Sequence, residues 1–320
     1  MTDRKPAIIF MGTPKFAVPS LEILIKNNFP VKAVVTSVDK PSGRGLKVRE
    51  SAVKQAAVAN GIPVLQPSNL KDDQFAWQLR EFKAELFVVV AFRILPVKIW
   101  SIPPLGTVNL HASLLPAYRG AAPINHAIIN GEKITGVTTF LIEKDIDTGQ
   151  ILFREKTGIA DDETAGSLHD RLMILGATVL LKTVMAMTES RVQPLPQAQL
   201  ASAEPVSSAP RITKNDCRID WSNPADRIYD FVRGLSPQPA AWTSMTAGDK
   251  TINLKILEVE KKNIPHSFSP GCIMDFRKNI EVAAGRGSII LKYLKAEGRK
   301  AMTGSEFLRG FRSGKNIYFR

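Results

Sequence analysis

Leu86-Phe87-Val88-Val89-Val90-Ala91 runs apolar residues together without a polar interruption. A strand with one face in water alternates apolar and polar residues. An unbroken run marks a strand covered on both faces, the kind found in parallel sheets sandwiched between helices. Working outward, Ala7 to Met11 and Val31 to Val35 are shorter runs of the same type. Between them Phe16, Ala17, Leu21, Leu24 and Ile25 fall at helical spacing within Phe16 to Asn28. Thr13-Pro14 is expected to supply the N-cap and a proline at the first helical position. Ser51 to Asn60 reads as a helix stopped by Gly61. Downstream, Thr107 to Leu110 and Gly136 to Ile142 read as strands on either side of a helix at Ile124 to Ile129. A long helical pattern follows over Glu163 to Met187. Strands alternating with helices predict an α/β fold, a Rossmann-like and mostly parallel sheet with ligands at the carboxyl ends of its strands. The dinucleotide fingerprint is missing: Gly12-Thr-Pro-Lys-Phe-Ala17 follows the first strand, which argues against NAD.

The chain has 320 residues, 44% hydrophobic and 23% charged, as expected of an ordinary globular protein with room for two domains. A catalytic domain is expected over 1–190. A stretch with Pro194, Pro196, Pro205 and Pro210 reads as an extended spacer over 191–210. Residues 211–320 offer a helix at Pro224 to Arg233. Short β-like runs follow at Thr251 to Val259, Gly271 to Phe276, Ile280 to Ala284 and Ser288 to Leu294. Such spacing suggests a small C-terminal β-barrel, and an OB-like one suits the charge. Of the net charge of +13, most sits in 211–320, where 20 Lys and Arg face 11 Asp and Glu. A basic domain attracts nucleic acid by releasing counterions, although a well-solvated basic surface gives the same composition. The apolar stretch Ile8 to Met11 is too short for a signal core or a membrane span. Cys217 and Cys272 form no CxxC pair and no metal-ligand spacing, so free thiols and no metal are expected. We expect a cytoplasmic monomer with no membrane contact.

Chemistry concentrates in Asn109-Leu-His-Ala-Ser-Leu-Leu-Pro-Ala-Tyr-Arg-Gly-Ala-Ala-Pro123. Asn109 and His111 stand two apart at the end of a strand, so both side chains project to one face. An amide and an imidazole can then converge on one reacting atom. A lone strand-end histidine can equally be a hydrogen-bonded structural residue. Asp147, in Asp145-Ile-Asp-Thr-Gly149, can return beside the imidazole after one strand and loop, and a carboxylate there stabilises an imidazolium. By itself Asp-Thr-Gly is also an ordinary turn.

These segments resemble the folate-dependent formyltransferase family, and within it the branch that acts on methionyl-tRNA. The resemblance covers nearly the whole chain. It rests on Met11-Gly-Thr-Pro14 with Phe16, Lys40-Pro-Ser-Gly-Arg-Gly-Leu-Lys47, Asn109 to Pro123 and Asp147-Thr-Gly149. In the second domain it rests on Ile219-Asp-Trp221, Arg233-Gly-Leu-Ser-Pro237 and Ala241-Trp-Thr243. The resemblance implies that Asn109, His111 and Asp147 are catalytic. It implies that Ser113, Leu114, Leu115 and Pro116, with Phe92, line the site of 10-formyltetrahydrofolate. It also implies that Arg44 and Lys47 lie in a loop reaching the tRNA, and that the partner is initiator methionyl-tRNA. Phe92-Arg93 stands where the family often has Tyr-Gly, and Asp145-Ile146 where Gly and Leu are common. The alternatives are a folate-dependent formyltransferase acting on a small amine and a nucleic-acid-binding protein with an inactive Rossmann-like domain.

Overall fold

The computed structural model describes residues 4–42, 47–200, 206–248, 250–310 and 317–320. They form two compact units. The first takes residues up to 120 with 135–157 and 169–208, and the second takes 121–134, 158–168 and 209–320. The chain therefore enters the second unit twice before its C-terminal third begins.

The first unit is built on β1 (Ile8–Gly12), β2 (Val31–Val35), β3 (Val64–Leu65), β4 (Leu86–Val90), β5 (Thr107–His111), β6 (Ile134–Leu141) and β7 (Ile151–Gly158). Their order across the sheet is β7-β6-β5-β4-β1-β2-β3. The pairings from β3 to β5 are all parallel, and β6 joins β5 antiparallel. The sheet is thus mostly parallel, as expected. β1 and β4 are buried at every residue, which is why their sequences carry no alternation. On one face Ile9, Met11, Val35, Phe87 and Val89 form a core with Phe75, Leu79 and Ile99 from the helices Asp73–Glu81 and Val97–Trp100.

One expected detail is corrected. Thr13 does not cap the first helix. Pro14 leads into a short 3₁₀ turn, Lys15–Ala17, and the helix proper is Val18–Lys26, with proline in its first two positions. A proline-tolerant helix start is present, but it is Pro19 that uses it. Ser51 does cap its helix Ala52–Ala59, accepting from the Lys54 amide. The helix Ala165–Thr188 is long and apolar enough to cross a membrane by length and composition. Here Leu172, Leu180 and Val184 on it are fully buried within the fold.

The second unit carries an antiparallel sheet of β8 (Ala241–Ala247), β9 (Lys250–Lys262), β10 (Ile273–Asp275), β11 (Glu281–Ala283), β12 (Ser288–Ala296) and β13 (Ile317–Phe319). The order is β10-β11-β12-β9-β8-β13. A bridge between Cys272 and Tyr318, with the Phe319 amide donating to the Gly271 carbonyl at 2.8 Å, nearly closes it into a barrel. Its core includes Ile219, Trp221, Ile228, Leu254, Ile256 and Leu294. The Trp221 indole donates to Thr243 Oγ1 at 3.0 Å, and that hydroxyl donates to the Arg320 carbonyl at 2.9 Å. The Ile219-Asp-Trp and Ala241-Trp-Thr segments therefore meet inside one barrel wall.

Candidate active site

Gly12, Val90 and Leu110 are side by side in register, so the carboxyl ends of β1, β4 and β5 share one edge of the sheet. Asn109 and His111 sit at that edge on one face of β5, opposite Phe140 and Thr138 of β6. The half-buried Asn109 amide makes no hydrogen bond with any described residue. Interior polar groups normally find partners, so an unpaired amide at a ligand edge is available to something that binds there.

His111 is nearly buried, at 7% exposed, and its Nε2 lies 2.8 Å from the Tyr118 carbonyl oxygen. A carbonyl only accepts, so Nε2 carries the proton and donates it. Nδ1 is the nitrogen left over, and it faces Asp147 Oδ2 at 3.7 Å. That separation is an ion-pair approach and too long for a direct hydrogen bond. The same carboxylate oxygen accepts from the Gly120 amide at 2.9 Å. Asp147 adopts a left-handed backbone, φ 55°, which aspartate tolerates better than most residues.

Two connections bring these groups together. The first leaves β5 through Ala112 to Ala117 and returns Tyr118 and Gly120 to the strand it left. Thr138, opposite His111, ties this loop down: its hydroxyl donates to the Ser113 carbonyl at 2.6 Å and accepts from the Leu115 amide at 3.1 Å. Arg154 donates to the Leu115 carbonyl, and Ser113 Oγ donates to the Ala117 carbonyl. The second connection is the turn between β6 and β7 that carries Asp147. A Cβ on Gly149 would stand 1.7 Å from the Leu141 carbonyl oxygen, so only glycine lets this turn close.

Residues 4–184 match the family described as formyl transferase, and 211–312 match the formyl transferase C-terminal domain. A methionyl-tRNA formyltransferase of Bacteroides fragilis is 47% identical over 306 residues, covering 95% of this chain and 94% of its own length. Another, from Porphyromonas gingivalis, is 46% identical over 321 residues and is covered to 99%, as is this chain. This chain belongs to the methionyl-tRNA formyltransferase family. Among solved structures, the N-formyltransferase of Helicobacter canadensis, in complex with folinic acid and dTDP-3-aminofucose, superimposes with a TM-score of 0.64. It is 20% identical and the match covers 89% of this chain and 98% of that one, a likeness of fold.

The remaining residues singled out from this family's pattern fall in different settings. Ser113, Leu115 and Pro116 are buried, and Leu115 packs with Phe140 and Ile151. Their side chains serve the loop, and Leu114 is the half-exposed member of the run. Phe92, just beyond β4, is half-buried against the core, with the Arg93 guanidinium 5.3 Å from its ring centroid. Arg93 turns to the Pro67 and Ser68 carbonyls, where partial burial lowers its pKa. Asp145 is exposed, so its extra charge is solvated. Lys47 opens a short strand, Lys47–Arg49, paired with Lys40–Ser42, and Arg44 lies outside the described residues. The Nε2 of His126 meets the Pro210 carbonyl and the Nε2 of His266 the Gly287 carbonyl, so both rings hold main chain. Among the described residues no cluster of His, Cys, Asp and Glu is placed to hold a metal. Sequence reasoning missed Tyr118, whose carbonyl holds His111, and Gln197, which donates to the Asp147 carbonyl and accepts from Arg119.

Proposed function

We propose that this chain transfers the formyl group of 10-formyltetrahydrofolate to the free amine of initiator methionyl-tRNA. The observation that carries the reading is the Asn109 amide, without a partner among the described residues, beside an imidazole whose Nε2 is tied to main chain and whose Nδ1 faces a carboxylate. The bound donor supplies the electrophilic formyl carbon and a nitrogen that leaves once protonated. Asn109 donates to the formyl oxygen as negative charge gathers there. His111 Nδ1 takes the proton released by the attacking amine and passes it to the leaving nitrogen. Asp147 stabilises the imidazolium between those two events, with the Tyr118 carbonyl already occupying the other nitrogen. The Asn109 amide is the group such a donor needs at its formyl oxygen, so the residues present fit it.

We assign catalysis to residues 1–190 and tRNA holding to 211–320, with Arg44 and Lys47 reaching the acceptor end. We take the working form to be a cytoplasmic monomer, which sedimentation of the purified chain tests. The function itself is tested by offering the purified protein methionyl-tRNA, an aminosugar nucleotide and glycinamide ribonucleotide as acceptors. Preference for either small amine would replace the tRNA reading.

Two further results are expected. Arg44→Ala raises KM for methionyl-tRNA while leaving KM for the folate donor in place, because an arginine between Gly43 and Gly45 is suited to a phosphate or a base. Equal losses for both substrates would remove the loop from tRNA recognition. Raising salt from 50 to 200 mM weakens tRNA binding on the order of tenfold or more, through counterion uptake at the basic C-terminal part. A filter-binding series that stays flat with salt would contradict that role.

A further inference from the structure

We propose that Gln197 is a positioning residue for formyl transfer, holding the Asp147 turn at His111; the proposal rests on the catalytic reading above. Gln197 opens the 3₁₀ turn Gln197–Leu200, inside the Pro-rich stretch expected to be a bare spacer. Over its described residues that stretch is laid against the first unit. Leu195 and Ile151 exchange main-chain hydrogen bonds of 2.9 and 2.8 Å, and Leu200 packs on Leu115, Phe140 and Ile151. The Ser207 carbonyl accepts from the Tyr118 amide at 2.6 Å, and Tyr118 is the residue whose own carbonyl anchors His111.

Gln197 is 4% exposed and all of its amide is used. Nε2 donates to the carbonyls of Asp147, at 2.9 Å, and Gly149, at 2.8 Å. Oε1 accepts from Arg119 Nε at 3.1 Å and Nη2 at 2.6 Å. The orientation of this amide is settled by its partners. A guanidinium only donates and a carbonyl only accepts, so oxygen must face Arg119 and nitrogen must face the turn. One buried side chain therefore brackets the turn by the carbonyls before and after Thr148. It also links that turn to Arg119, the neighbour of both Tyr118 and Gly120. Tyr118 and Gly120 are the residues that touch His111 and Asp147, so the clamp bears on both halves of the pair. Nothing in these contacts reaches a substrate. Gln197 acts through Asp147, and its loss lets the carboxylate drift from Nδ1.

The test is steady-state formyl transfer by the full chain with Gln197→Met, alone and combined with Asp147→Asn, using whichever acceptor amine the wild type accepts. Methionine keeps the length and removes every hydrogen bond. The expected result is a kcat loss of about 10–100-fold, as for a catalytic group displaced by about an ångström, with KM for both substrates little changed. In the Asp147→Asn background the same substitution should cost nothing more, because its route to the chemistry is already cut. An unchanged kcat, a loss confined to KM, or the same fold-loss repeated in the Asp147→Asn background would each overturn the proposal. Should the methionine variant not fold, Gln197→Glu keeps the Arg119 contact, offers no hydrogen to the two carbonyls, and is read the same way. A wild type that transfers to methionyl-tRNA with an indifferent Gln197 leaves the function standing and removes only the clamp. A wild type inactive with every amine removes both.

Discussion

Asn109→Ala is expected to lower kcat by about 10²–10³-fold, the usual cost of losing one preorganised donor to a developing oxyanion. The substitution should break nothing else. The amide has no partner among the described residues, and the β5 backbone around it is paired with Val89 on one side and Phe140 on the other. Folding stability should therefore stay near that of the wild type. KM should move little, because the donor's interaction strengthens only as charge appears on the formyl oxygen. Steady-state kinetics with each substrate varied in turn, beside a thermal melt, check the claim. A variant with full kcat and a raised KM would make Asn109 a binding residue instead.

Asp147→Asn should lower kcat by about 10²–10⁴-fold, the range associated with a proton transfer that loses its support. Here the replacement is nearly isosteric and its consequences separate cleanly. An asparagine oxygen still accepts from the Gly120 amide, so the loop keeps its anchor. The turn is also held independently by Gln197 through main-chain carbonyls, which the substitution does not touch. What disappears is the negative charge facing Nδ1. The protein should melt as the wild type does and fail only in turnover. Activity within a few-fold of wild type would show that the carboxylate merely props the loop.

Gly149→Ala would reach the same turn by another route. Its Cβ meets a carbonyl oxygen of the sheet rather than the end of a mobile side chain, so the hairpin has to open. Asp147 would then leave with it.

The fold was legible where burial left a simple imprint. β1 and β4 are covered on both faces, and nothing polar interrupts their sequences. β7 was not legible. It is the edge strand, and after Ile151 and Leu152 it exposes Arg154, Glu155 and Lys156, charges that protect a sheet edge from pairing and erase the apolar pattern. The helix Asp73–Glu81 hides for a related reason. It buries only Phe75, Ala76 and Leu79 and leaves Trp77 in water. In the site, the strand period alone put Asn109 and His111 on one face. One strand and loop could bring Asp147 back beside the imidazole, but Asp-Thr-Gly reads equally as an ordinary turn, and only the family resemblance chose between the two. Gln197 had no signal at all, since it stands among glutamines and prolines that read as a tether.

The anchoring of His111 fixes what position 111 can be. Asparagine ends its side chain where Nδ1 stands and would leave the Tyr118 carbonyl without a donor. Glutamine can extend to the place of Nε2 and satisfy that carbonyl, but it presents nothing basic to Asp147. Only a five-membered ring places one nitrogen at each station, a donor for the Tyr118 carbonyl and a second nitrogen facing Asp147. No amide isostere can stand in for it, whatever the rest of the pocket supplies.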